Sequence, residues 1–365
     1  MRIGVDVREL RRGVRTGIGR MVEAVISETP SVRSDLRLVL FADDSTRAAE
    51  VETATELHVL RQPTTLWFDQ IELPRALARH AIDVFWSPYY KAPICSPCPT
   101  VITIHDVLFL KQGGQRIENA IFKPWARLIG SRASAVLTDS EHSQRDLVTL
   151  LGIDPARIAV VPLGVSERFT PKERDKAPDM LNRLGIPENY ILTVTNFRPH
   201  KNGDFLIRAY ARVAERIPDT VLVLAGKRTH ESHKLCESAE QLGIGDRVVM
   251  PGLITDEDLP ALYAGARLFV FPSLHEGFGL PVLEAMASGT PVVSSCTSSL
   301  PEVVGEAGRM LAPTDEEAWA EALFELSTDV TMRQQQIHAG LERASAFTWR
   351  RSVSELMDVL EGVAR

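Results

Sequence analysis

The stretch Leu268-Phe-Val-Phe-Pro272-Ser-Leu-His-Glu276-Gly-Phe-Gly-Leu280-Pro-Val-Leu-Glu284-Ala-Met-Ala-Ser288 decides the reading of the C-terminal half of this chain. Its first five residues are a short apolar run of the kind buried in a parallel sheet. Pro281 suits the first turn of a helix, where a missing N–H costs nothing, and Gly289 suits its end. Strand, turn and helix therefore follow one another, with the helix N-terminus just beyond the strand's carboxyl end. Gly277 and Gly279, on either side of Phe278, let the backbone approach a ligand closely, and the unpaired N–H groups of the first turn attract phosphate oxygens. Glu276 lies before the helix and Glu284 about one turn inside it, so the two carboxylates reach different parts of one ligand. A carboxylate accepts two or more hydrogen bonds from the hydroxyls of a sugar. Read alone, two glutamates would be a cap and a solvated helix residue. A glycosidase pair, with carboxyl groups ~5 to 9.5 Å apart, is a further alternative, but it leaves the phosphate site without a purpose.

The same alternation runs outward in both directions. In the second half, apolar runs at 190–195, 220–226, 248–250, 268–272 and 291–294 are separated by helical spacing. In the first half the runs are 2–7, 36–41, 100–105, 135–139 and 158–162. Both series imply an α/β fold with a doubly wound, mostly parallel sheet, whose ligands sit beyond the carboxyl ends of the strands. A chain of 365 residues exceeds the length at which one core stops growing. Domains are expected at 1–170 and 171–347, with the polar, proline-bearing stretch 167–178 as linker. A last segment, 348–365, carries Val353, Leu356, Met357, Leu360 and Val363 on one helical face.

Composition narrows the function classes. The formal net charge of -7 offers no general attraction for nucleic acid. No run approaches the ~18 to 20 apolar residues of a membrane span, and Met1-Arg2-Ile3-Gly4-Val5-Asp6-Val7 reads as a strand and not a signal peptide, so a cytoplasmic protein is expected. Of four cysteines only Cys95-Ser-Pro-Cys98 are close-spaced, and with His105 as the nearest further ligand they read as reduced loop cysteines. Arg8, Arg11, Arg12, Arg15 and Arg20 crowd the region before the first helix, opposed only by Glu9. They are either a solvated face or a contact for anionic lipid, which would place the protein peripherally at the inner face of the membrane.

Glu276 and Glu284, separated by seven residues within Glu276-Gly-Phe-Gly-Leu-Pro-Val-Leu-Glu284-Ala-Met-Ala-Ser-Gly-Thr-Pro-Val-Val293, resemble the signature of retaining glycosyltransferase family 4. The resemblance extends over nearly the whole chain. It implies the GT-B fold: two Rossmann-like domains facing a cleft that holds a nucleotide-sugar donor, and a C-terminal helix crossing back to the N-terminal domain. By this resemblance Glu276 binds hydroxyls of the transferred sugar. The N–H groups of Phe278, Gly279 and Leu280, in the turn begun by Gly277, hold hydroxyls and phosphate, and Glu284 binds the ribose. Thr195-Asn-Phe-Arg198-Pro-His-Lys201-Asn202 resembles the family loop that grips the diphosphate; Arg198 and Lys201 suit a leaving group of growing negative charge. Thr16-Gly17-Ile-Gly19-Arg20 resembles the family's glycine loop near the donor phosphates and the acceptor, although a plain turn explains Gly17 and Gly19 about as well. His105-Asp106 resembles the His-Asp motif whose histidine lies near the donor sugar. Thr138-Asp-Ser-Glu-His-Ser143 also resembles a family segment, but helix capping by Ser140 or Ser143 accounts for it. Asp256-Glu-Asp258 looks like a metal–nucleotide site yet reads better as an acidic helix start, and the family implies neither a bound metal nor a cofactor besides the donor.

The resemblance further implies retention of anomeric configuration without an enzyme nucleophile. Trp67-Phe-Asp-Gln-Ile-Glu-Leu-Pro-Arg75 and residues 190–202 are similar to bacterial mannosyltransferases of surface polysaccharide synthesis. GDP-mannose is therefore the expected donor, with a UDP-hexose as the main rival, and a glycan or lipid-linked glycan the expected acceptor. A sugar-nucleotide 2-epimerase and a non-catalytic nucleotide-sugar-binding protein are the remaining alternatives.

Overall fold

The computed structural model describes residues 1–11, 16–46, 56–111 and 116–365, with the side chains of 109, 111 and 116–122 left out of the description. Two units form: Met1–Gly164 together with Thr348–Arg365, and Val165–Phe347.

The first unit holds seven parallel strands, β1 (Arg2–Asp6), β2 (Arg37–Ala42), β3 (Glu56–Val59), β4 (Val84–Ser87), β5 (Thr100–Thr103), β6 (Ala135–Thr138) and β7 (Ile158–Val160), in the order β3-β2-β1-β4-β5-β6-β7. Burial of β4, β5 and β6 at every residue explains their unbroken apolar runs, because helices cover both faces of a parallel sheet. Two strands lack a sequence signal. β3, Glu-Leu-His-Val, is a half-exposed edge with little to bury. β4, Val-Phe-Trp-Ser, comes right after the helix Leu73–Arg79, whose apolar residues merge with its own. It is tied to β5 by Trp86 Nε1–H, which donates to Thr103 Oγ1 at 3.0 Å.

The second unit holds six parallel strands, β8 (Tyr190–Val194), β9 (Val221–Ala225), β10 (Val248–Gly252), β11 (Leu268–Phe271), β12 (Val292–Ser295) and β13 (Arg309–Leu311), in the order β10-β9-β8-β11-β12-β13. On one face of the sheet its core joins strands to flanking helices through Leu206, Tyr210, Leu224, Val270, Trp319 and Leu323. The stretch expected to be a linker folds instead as part of this unit. Phe169 and Ala177 are buried, Pro171–Lys176 forms a 3-10 turn, and Arg174 Nε–H donates to the carbonyl of Ala264 at 2.8 Å. Its polar residues lie on the surface while Phe169 and Ala177 anchor it, a pattern that composition alone confuses with a connector.

The last helix, Trp349–Ala364, belongs to the first unit, where it packs on the helix Gly17–Val32 and buries Val353, Leu356, Met357 and Leu360. Arg33 pairs with Asp358 and, at 3.2 Å, with Glu361, while Ser352 Oγ–H donates to the carbonyl of Pro162 at 2.6 Å. No described helix is long and apolar enough to cross a membrane.

Gly164 permits this return. A Cβ there would stand 2.2 Å from the backbone nitrogen of Trp349, so backbone meets backbone where no side chain fits. Gly164→Ala is expected to lower unfolding stability by about 1–3 kcal/mol, the usual cost of forcing atoms into a filled space. Urea unfolding checks this, and an unchanged midpoint would refute the tight approach.

Candidate active site

In an open parallel sheet the strand order reverses at one point, and loops leaving the two flanking strands diverge there to leave a ligand crevice. In the second unit the reversal lies between β8 and β11. The loop after β8 carries Arg198 and Lys201; the loop after β11 carries Glu276 and the two glycines. Topology thus joins two sequence segments that are 75 residues apart.

They meet directly. Lys201 Nζ lies 2.6 Å from Glu276 Oε1, with the side chains 14% and 13% exposed, and the ammonium also stands 5.0 Å from the Phe271 ring. Neighbouring hydrogen bonds hold the loops in register. His200 carbonyl accepts from the Leu274 N–H at 2.7 Å and from Ser273 Oγ–H at 3.1 Å, and Asn202 Nδ2 donates to the carbonyls of Pro272 and Pro313 at 3.3 and 2.9 Å. Asn202 adopts φ +58°, the left-handed region that asparagine tolerates best among residues with side chains. The Arg198 side chain is exposed, and its guanidinium has no partner among the described residues.

The turn is built as its glycines suggest. Gly279 stands at φ +117° as N-cap of the helix Leu280–Ala287, which has Pro281 in its first turn and no side chain capping it. The N–H groups of Phe278, Gly279 and Leu280 have no protein acceptor among the described residues. A helix N-terminus left open in this way favours an anion. Glu284 is only 3% exposed, one turn into the helix, and the Phe278 side chain is buried against Phe347.

Sequence reasoning missed the support beneath this turn. Ser298 Oγ accepts from the Glu276 N–H at 2.9 Å, and Ser299 Oγ–H bridges the carbonyls of Glu276 and Phe278 at 3.0 and 2.8 Å. Both serines follow β12, and the only available signal was their place just past a strand's carboxyl end. Asp258 stands at the N-cap of the helix Leu259–Gly265 without a side-chain cap bond and pairs with Arg183, and Asp256 pairs with Arg168 at 3.6 Å.

In the first unit His105 stands just past β5. Its Nδ1 lies 2.6 Å from Asp139 Oδ2 and its Nε2 3.0 Å from the carbonyl oxygen of Pro88. The Pro88 carbonyl can only accept, so Nε2 carries a proton, and Nδ1 is held against the Asp139 carboxyl. Burial by itself would lower the pKa, but the charge and hydrogen bond of Asp139, with the Pro88 carbonyl, outweigh it and leave the pKa raised. Both ring nitrogens are thus engaged within the fold. Around it, Ser140 caps the helix Glu141–Asp146 and Ser143 Oγ–H donates to the His105 carbonyl at 2.9 Å, so capping accounts for Ser140 while Ser143 orients the histidine. Gly17 and Gly19 form the first turn of the helix Gly17–Val32, where the Gly19 N–H donates to Thr16 Oγ1 at 3.0 Å.

The arginine cluster requires a correction. Arg8 is 5% exposed: its guanidinium pairs with Asp6 and Asp69, each at 2.6 Å, and lies 3.8 Å above the Phe68 ring. It is neutralised within the fold and unavailable to a lipid surface. Arg11 is exposed, while Arg12 and Arg15 fall outside the described residues.

The family model described as Glycosyltransferase Family 4 matches residues 15–169, and that described as Glycosyl transferases group 1 matches residues 179–343. Folds of the same GT-B class include sucrose-phosphate synthase from Thermosynechococcus elongatus (TM-score 0.79, 20% identity, covering 99% of this chain and 98% of that one). HepE from Anabaena in complex with UDP and glucose also aligns (TM-score 0.78, 21% identity, 99% and 100% covered). The chain belongs to glycosyltransferase family 4. O-antigen chain mannosyltransferase B of Escherichia coli is 34% identical over 62% of this chain and 60% of its own length. D-inositol 3-phosphate glycosyltransferase of Salinispora tropica is 35% identical over 72% of this chain and 58% of its own. The chain thus spans less than two thirds of the length of these curated relatives.

The His105 pair makes stability depend on pH. Because its pKa is raised in the fold, the stabilisation is complete below the unfolded value of about 6.5 and fades as pH rises through the folded value. Asp139→Asn strands a buried cation and should cost roughly 3 kcal/mol at pH 5.5, with a smaller loss at pH 9. Denaturant titrations at both pH values test this, and a loss that grows with pH would contradict it.

Proposed function

We propose that this chain is a retaining hexosyltransferase that moves mannose from GDP-mannose to a glycan or lipid-linked glycan acceptor. The observation that carries the reading is the contact of Lys201 with Glu276 beside three N–H groups at a helix N-terminus that have no acceptor among the described residues. One cation, one carboxylate and an anion-binding turn are what a sugar diphosphate requires. In the donor complex Lys201 and Arg198 would face the diphosphate and Glu276 the hydroxyls of the sugar, with Glu284 on the ribose. Charge grows on the phosphate as the bond from sugar to phosphate breaks. Cations and amides fixed in advance stabilise that state more than the ground state, which is how binding accelerates the step. The acceptor hydroxyl attacks from the face the phosphate vacates and passes its proton to a phosphate oxygen. His105, with both nitrogens occupied, contributes through position and charge.

The mannosyl choice leans on relatives named as mannosyltransferases of Escherichia coli, one of them of the O-antigen chain. A UDP-hexose is the second reading, favoured by the similar fold of HepE, a protein whose structure is known in complex with UDP and glucose. In either case the reaction belongs in the cytoplasm.

Lys201→Ala and Glu276→Ala should each lower sugar transfer by about 10²- to 10³-fold in kcat with the fold intact by circular dichroism. Turnover near wild type in either variant removes that residue from the proposal. Product formed without acceptor would reassign the chain to epimerisation, and binding without turnover to a carrier role. Calorimetry with GDP-mannose, UDP-glucose and UDP-N-acetylglucosamine should give the tightest binding for GDP-mannose; tighter binding of a uridine donor reverses the choice of base.

A further inference from the structure

The first unit carries a second cluster with chemistry, at the edge strand β3, with three strands between it and β5, beyond which His105 stands. Glu56 and His58 alternate along β3 and so project from one face. His80, which ends the helix Leu73–Arg79, covers the same face. The three groups converge: His58 Nε2 lies 2.8 Å and His80 Nδ1 3.4 Å from the same oxygen, Glu56 Oε1. One ligand atom from each residue falls within 4.8 Å of the others. The rings lie with centroids 3.7 Å apart, and buried Phe41 floors the cluster, 6.0 Å from His58 and 6.2 Å from His80.

We infer that Glu56, His58 and His80 form a binding site for one divalent transition-metal ion, zinc being the best match. Ligands held about 2.0–2.1 Å from zinc in tetrahedral geometry stand roughly 3.3–3.4 Å apart; His80 already stands at 3.4 Å from the shared carboxylate oxygen, and His58, at 2.8 Å, need only draw back slightly. Two imidazoles with one carboxylate select zinc, nickel or copper over magnesium and calcium, which take oxygen ligands. The two rings lie 31° from parallel, so their nitrogens meet one ion only after a rotation about the Cβ–Cγ bonds, and all three side chains are partly exposed, which leaves a path for the ion and a fourth position for water.

A ready support lies behind the ligands. Arg2 donates to Glu56 Oε2 at 2.7 Å and so turns Oε1 toward the histidines, while its Nε–H donates to the His80 carbonyl at 3.0 Å. Such outer partners orient metal ligands in many proteins. The cluster joins the edge strand β3 to the end of a helix distant in sequence, so an ion there would hold a short, half-exposed edge in place.

Calorimetry of the full chain, stripped with EDTA and titrated with zinc chloride, tests this. One ion per chain should bind with micromolar or tighter affinity and raise the melting temperature. His58→Ala, His80→Ala and Glu56→Gln should each weaken binding at least tenfold and abolish the melting shift. Cobalt(II) should give a visible absorption band in the wild type that His58→Ala removes. Glu56→Gln keeps the shape of the side chain, so the test stands even if a histidine variant fails to fold. Absence of zinc uptake by the folded wild type, or equal affinity in all three variants, overturns the inference.

Discussion

Opposite charges drawn out of water across the reversal point of the second sheet are the contact on which the candidate site depends. Lys201 and Glu276 come from loops leaving neighbouring strands, and each is largely withdrawn from solvent. An isolated charge so placed would be costly, and removing either partner would leave the other uncompensated. The pair is therefore possible only because the surrounding bonds fix both loops: Asn202 to the end of β11, Ser298 and Ser299 to the turn at Glu276. These neutral hydrogen bonds set the distance at which the charges meet. A substrate with its own negative charge and hydroxyls can divide the pair between them, and the open helix N-terminus beside it supplies donors that no described protein group uses.

The first unit follows a different logic. Its buried charges are paired internally, as in the Asp6–Arg8–Asp69 group and the His105–Asp139 contact. Arg8 illustrates how far environment governs the meaning of a residue. In the sequence it joins a run of arginines with one nearby acid, and the reasonable expectation is solvent or lipid. The fold places two carboxylates beside it, one of them 61 residues away on Asp69, and the cation becomes part of the interior. His105 shows the same effect on chemistry. In the sequence it stands alone past a strand end, but the fold sets a carboxylate on one nitrogen and a carbonyl on the other, and that company raises its pKa.

Legibility followed the strength of local signals. Most strands buried on both faces were visible because continuous burial demands continuous apolar residues, β4 alone merging with the apolar residues of the helix before it, and the turn Glu276–Glu284 was visible because phosphate-sized ligands need glycines, an open helix end and a proline that tolerates it. The short edges β3 and β13 were not, since an edge buries too little to leave a pattern. The stretch at 167–178 misled because a surface-lying segment and a linker have the same composition, and only the packing of Phe169 and Ala177 separates them.

The order of strands and helices, the open helix N-terminus and the identity of the residues offered to it were determined by the sequence itself, because each depends on neighbours within a few positions. Which residues touch was left to the tertiary structure. Lys201 and Glu276, His105 and Asp139, Arg8 and Asp69 are joined only by the order in which parallel strands assemble. That order is set by the burial of whole sheet faces, a sum over the chain that no short segment records.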